Sequence, residues 1–174
     1  MKKIKLYIAA SIDGYISGND GDLDWLMKYP VNSETNYGYN SFFESIDTVV
    51  MGGRTYRDIH SMDYKWPYKG KITYVVTHNP MTAKEGVRFI TENVIENISK
   101  LRDEKGKDLW LVGGSELISM LLDRDMIDEM IITTIPVILG SGIPLFQNNL
   151  KESTWNLVNS TQYDNGVVQM VYGK

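Results

Sequence analysis

Val49-Val50-Met51-Gly52-Gly53-Arg54-Thr55-Tyr56 decides the fold when it is read beside Leu109-Trp110-Leu111-Val112-Gly113-Gly114-Ser115-Glu116. Each is a short apolar run that stops at a glycine pair and hands over to a helix-like segment. A strand that ends in glycines ahead of a helix leaves unpaired backbone N–H groups facing one crevice. The helix dipole adds partial positive charge there, so the crevice suits a phosphate. One such junction is commonly no more than a turn. Two in a single chain, the first followed by Arg54 and Thr55, point to a phosphate-bearing cofactor.

Working outward, Ile4–Ala10, Thr48–Met51, Ile72–Thr77 and Leu109–Val112 are short apolar runs of the kind expected for strands buried on both faces, with Val87–Ile90 a weaker one. Met130–Leu139 is long and β-branched. Trp155–Gln162 and Val167–Tyr172 frame Asp164-Asn165-Gly166 and predict a closing hairpin. Helices are expected over about 36–46, 54–60, 94–105 and 115–122, where Val94, Ile98 and Leu101 recur at helical spacing. Strands alternating with helices imply an α/β fold: a mostly parallel central sheet with helices on both faces and a C-terminal antiparallel hairpin. Ligands of such sheets bind beyond the carboxyl ends of the strands, where both glycine pairs lie.

Composition narrows the function. The 174 residues suffice for one domain, 1–174, with 43% hydrophobic and 23% charged residues, an ordinary balance for a globular protein. A net charge of −4 disfavours nucleic acid as a partner. With no cysteine there is no disulfide, thiolate site or cysteine nucleophile, and His60 and His78 alone give little material for a metal site, so none is expected. No apolar run approaches the roughly 20 residues of a membrane helix, and the protein is expected to be cytoplasmic.

The two junctions, together with Ala9-Ala10-Ser11-Ile12-Asp13-Gly14-Tyr15-Ile16, Gly21-Asp22-Leu23-Asp24-Trp25-Leu26 and Ile135-Pro136-Val137-Ile138-Leu139-Gly140-Ser141-Gly142-Ile143-Pro144-Leu145-Phe146, resemble the dihydrofolate reductase-like superfamily. In detail they are similar to the reductase domain of bacterial riboflavin biosynthesis (the RibD C-terminal domain) and its stand-alone relatives. The resemblance implies the three-layer dihydrofolate reductase-like fold. It also implies NADPH as hydride donor and a pyrimidine or pterin-like small-molecule substrate, as in 5-amino-6-(5-phosphoribosylamino)uracil reductase.

It further implies roles for particular residues. The backbone at Ala9 and Ala10 would hold the nicotinamide amide, although two small residues equally permit tight packing against a helix. Gly52, Gly53, Arg54 and Thr55 would bind pyrophosphate, while Thr55 is also a natural helix cap. Thr77, His78 and Asn79 would meet the adenosine end and its 2′-phosphate, and no acidic residue follows that strand to claim a free ribose hydroxyl. Gly113 and Gly114, joined by a cis peptide in the resembling folds, would floor the cofactor. Ser115 and Glu116 would open the phosphate-facing helix, Glu116 as dipole compensation rather than as a catalyst.

Substrate residues are less defined. Asp13, Trp25, Tyr37 and Asn40 are candidates, and no catalytic acid or base stands out. Dihydrofolate reductases keep a carboxylate after the corresponding tryptophan, whereas Leu26-Met27-Lys28-Tyr29-Pro30 has none, and the nearby Asp24, Glu34 and Glu44 read as surface charges. A ribose phosphate on the substrate would call for cations such as Lys28 or Arg57, neither of which sits in a matched motif. Dihydrofolate reduction, and nucleotide binding without turnover, stay open as alternatives. The apolar Pro136–Phe146 segment and the closing hairpin lead us to expect a homodimer.

Overall fold

The computed structural model describes residues 1–32, 35–61, 65–147 and 150–174; Glu34 lies outside them. Strands β1 (Ile4–Ser11), β3 (Ile46–Gly52), β4 (Ile72–Val76), β5 (Val87–Ile90), β6 (Asp108–Gly113), β7 (Glu129–Ile135), β9 (Asn156–Gln162) and β10 (Val168–Gly173) form one eight-stranded sheet. Its order is β5-β4-β3-β6-β1-β7-β10-β9. The first six strands of that order run parallel, and β10 and β9 close it antiparallel. Short β2 (Tyr15–Ser17) and β8 (Ile143–Pro144) pair separately. The helices are α1 (Asp24–Met27), α2 (Tyr39–Ser45), α3 (Gly53–Ser61), α4 (Val94–Asp103) and α5 (Ser115–Asp123).

Alternation along each strand splits the core in two. Ile4, Leu6, Val50, Leu109 and Leu111 face one side, against Ile98 and Leu101 of α4 and Leu117, Ile118 and Leu121 of α5. Val49, Met51, Trp110 and Ile131 face the other, against Phe42 of α2 and Tyr56 of α3. Period-2 strands between helices that bury one stripe each give three layers. A smaller cluster of Trp25, Tyr37, Ile135 and Val167 closes the second face beside β10.

The expected strands and helices form, with shifted ends. Met130–Leu139 is the main departure, because β7 stops at Ile135. Pro136 has no N–H to continue the ladder, and Val137 N–H turns back onto the Ile135 carbonyl at 2.7 Å. The chain then becomes a strap, with Ile12 N–H donating to the Val137 carbonyl (2.9 Å) and Ile143–Pro144 pairing with β2. The Asp164-Asn165-Gly166 turn forms as expected, with Gly166 at φ 82°, the left-handed region where glycine costs least.

Candidate functional site

The parallel strands separate at their carboxyl ends. β1 pairs with β6 only as far as Leu6↔Leu111, then follows β7 to Ser11↔Ile135, while β6 follows β3 to Met51↔Gly113. The gap opens into a cavity of about 830 Å³, towards the upper end of small-molecule sites.

One end of the cavity is built from strand ends and helix starts. Gly52, Gly53, Arg54 and Thr55 line it from the β3–α3 junction, Thr77 and His78 from the end of β4, and Gly113, Gly114, Ser115 and Glu116 from the β6–α5 junction. The glycines let these ends meet. A Cβ on Gly53 would lie 2.6 Å from Thr77 Oγ1 and 2.7 Å from its Cβ, and one on Gly114 would reach Thr55 Oγ1 at 3.5 Å. No side chain caps α5 at Gly114, and the Ser115 hydroxyl donates to the Pro144 carbonyl. The first-turn amides therefore remain free for an anion, and Arg54, in no ion pair among the described residues, supplies charge. This cradle, which side chains would fill, fits the phosphates of a dinucleotide. The Gly113–Gly114 peptide is cis.

The other end is aromatic and apolar. Its floor is the second face of the sheet, with Tyr7 and Ala9 of β1, Trp110 of β6, and Thr133 and Ile135 of β7. Leu23, Leu26, Met27 and Tyr29 from α1 and its flanks form a wall, joined by Tyr37 and Tyr39. Tyr7 stacks on Phe42 at 4.4 Å and meets Trp110 edge-on at 6.0 Å, contacts that hold the floor rigid. The Tyr7 hydroxyl donates to the Tyr37 carbonyl at 2.8 Å. Burial pushes its pKa up to about 12, against a lowering hydrogen bond from Gln169, and burial also raises that of Tyr39. Both phenols are neutral at physiological pH.

Most of the residues singled out in the sequence converge here, and some do not. Ala9 faces the cavity, while Ala10, one step along the strand, is buried in the opposite core. Asn79 lies outside the wall, and its backbone N–H donates to Thr77 Oγ1 at 3.2 Å. Asp13 stands away from the cavity and clamps the strap. Its carboxylate accepts from the Ser11 hydroxyl (2.6 Å) and from Leu139 and Gly140 N–H (3.1 and 2.7 Å), which together hold its pKa below the usual range. Trp25 is buried behind the wall with Ile135 and Val167, and Asn40 is exposed on α2. Tyr37 does line the cavity. Sequence reading did not single out Tyr7, Trp110 or Thr133. Their common signal is alternation, since each sits in register on the same face as Ala9, Val112 or Ile135, but using it requires the strand order.

No helix among the described residues is long and apolar enough to cross a membrane, and no group of three potential metal ligands occurs among them. The sequence matches the RibD C-terminal domain family over residues 2–169. It is 40% identical to the uncharacterized protein YwjB of Bacillus subtilis (strain 168) over 167 residues, covering 95% of each chain. A protein assigned to riboflavin biosynthesis from Shewanella sp. PV-4 superposes with a TM-score of 0.87 at 31% identity, covering 98% of both chains. A dihydrofolate reductase from Enterococcus faecalis, complexed with NADP(H), superposes at 0.72 with 20% identity, covering 98% of this chain and 95% of that one, a likeness of fold.

Proposed function

We propose that this chain, which belongs to the RibD C-terminal domain family, is an NADPH-dependent reductase of the riboflavin-biosynthesis type, transferring hydride to a pyrimidine or pterin-like ring. The observation that carries this reading is the continuity of one cavity, a glycine-built phosphate cradle at one end and a flat aromatic floor at the other, meeting at Ala9. The chemistry supplied by bound NADPH is a hydride, two electrons on one hydrogen, to an electron-poor ring carbon, with a proton from water to balance the product.

The protein's share is placement. The α3 and α5 amides and Arg54 hold the phosphates. Ala9 offers only a methyl above its strand, so flat rings can approach the backbone. Tyr7, Trp110 and Ile135 keep water from the reacting face. The charged residues of the wall, Arg54, Asp58 and Glu116, all belong to α3 and α5. No carboxylate among the described residues lines the aromatic end.

Quenching of tryptophan fluorescence by NADPH, followed by NADPH oxidation with a panel of pyrimidines, pterins and quinones, tests the proposal. Saturable NADPH binding with turnover of at least one heterocycle is expected. Binding without turnover of any compound would leave a nucleotide-binding protein, and absence of binding would overturn the reading altogether.

A further inference from the structure

Charge is distributed unevenly along the cavity. Arg54 is the one permanent cation in its wall among the described residues, and none of the residues outside that set is lysine or arginine. Arg54 belongs to the glycine-rich end, where its guanidinium nitrogen lies 3.4 Å from the position a Cβ on Gly21 would take. Arg57 is at that end too, 3.5 Å from a Cβ built on Gly53. Lys28 is exposed and outside the wall. The mouth of the aromatic end instead carries Met27, Pro30 and Val31, with Met27 61% and Val31 55% exposed. A phosphate entering here would lose water and meet aromatic faces and methyl groups, a transfer strongly disfavoured without a paired cation.

One polar group on the floor is poised. Gln169 Nε2 lies 2.8 Å from the Tyr37 carbonyl and 2.9 Å from Thr133 Oγ1. A carbonyl can only accept, so the amide nitrogen must face Tyr37, and its second N–H reaches Thr133. The buried Thr133 oxygen thus accepts from Gln169, and its own proton finds no acceptor among the described residues. That proton is free for a ligand in the cavity.

Resting on the reductase reading, we infer that the aromatic end takes an uncharged, phosphate-free planar ring bearing a carbonyl or ring-nitrogen acceptor, which the Thr133 hydroxyl recognises as donor. This departs from a ribose-phosphate substrate. Gln169 is a positioning residue that sets the direction of the Thr133 hydroxyl.

The test is equilibrium binding by tryptophan fluorescence to protein saturated with NADP⁺, where no hydride is available. The probes are 6-aminouracil and the same ring carrying a ribose 5-phosphate. The phosphate-free ring is expected to bind at least tenfold more tightly, with a Kd insensitive to salt. Thr133→Val should weaken it about three- to tenfold, the scale of one neutral hydrogen bond, and Thr133→Ser should restore it. Tighter binding of the phosphorylated ring, weakening as salt rises, would overturn the inference, as would full affinity in a folded Thr133→Val protein. The wild-type comparison stands even where a variant fails to fold. If NADP⁺ does not bind but the rings keep the stated order, the reductase reading fails and the ring preference survives.

Discussion

Moving a single methyl group from position 52 to position 53 separates a ligand role from a packing role. In Gly52→Ala the new Cβ would lie 3.6 Å from Gly114 N and 3.8 Å from the Gly113 carbonyl oxygen, ordinary contact distances. Gly→Ala at a compatible backbone stabilises by about 0.4–1 kcal/mol through the unfolded chain. For a chain of this size that corresponds to a Tm rise of up to roughly 4 °C. The methyl nevertheless stands where β3 and β6 face each other across the cradle, and NADPH affinity should fall at least tenfold, about 1.4 kcal/mol. In Gly53→Ala the Cβ meets Thr77 at 2.6 and 2.7 Å, distances that force β4 and α3 apart. Overpacking of that kind costs about 1–3 kcal/mol, or roughly 2–12 °C in Tm. Differential scanning calorimetry and a fluorescence titration with NADPH measure both quantities on the same samples. A Gly52→Ala protein that melts normally and binds NADPH within twofold of wild type would refute the placement of the cofactor between these strand ends. A wild-type melt for Gly53→Ala would show that the Thr77 contact yields freely.

Further expectations concern charge, assembly and pH. The native protein should prefer NADPH to NADH, and Arg54→Ala should lose roughly 1–3 kcal/mol of NADPH affinity; equal titration curves for both cofactors would count against a 2′-phosphate site. We propose a homodimer, since β9 is the outer edge of the sheet and exposes Leu157 (58%) and Val158 (65%); a monomer mass by light scattering at tens of micromolar would contradict it. Tyr7 has a raised pKa, so the stability it contributes is complete below the ordinary 10.0 and is lost as pH climbs through about 12. Between those limits the native protein should lose up to about 3 kcal/mol relative to Tyr7→Phe in urea melts. Asp13 has a lowered pKa, so its hold on the strap is present above 3.8 and fades as pH falls through the lower folded value. Amide exchange at Leu139 and Gly140 should speed up in strong acid, and in Asp13→Asn at every pH.

The parts of this protein set by local sequence were legible in the sequence alone. Val49–Gly53 and Leu109–Gly114 announce buried strands that end in tight junctions, because an apolar run, a glycine pair and a capping hydroxyl each act over a few residues. The same holds for Val94, Ile98 and Leu101 on one helical face and for the hairpin around Gly166. The cradle end of the cavity was therefore readable almost residue by residue. The aromatic end was not. Tyr7, Trp110 and Thr133 come from three strands that are neighbours only because β1 inserts between β6 and β7, a choice made by packing two helical layers against one sheet. Asp13 and Trp25 show the reverse. Their types suit a ligand site, yet the turn at Pro136 brings a strap onto the Asp13 carboxylate, and the indole of Trp25 is buried with Ile135 and Val167. Local sequence determined which segments are strands and where helix-start amides emerge beside glycine pairs, since those depend on backbone geometry over one or two turns. Which side chains share a pocket depends on strand order and register, and those are set by the whole core at once.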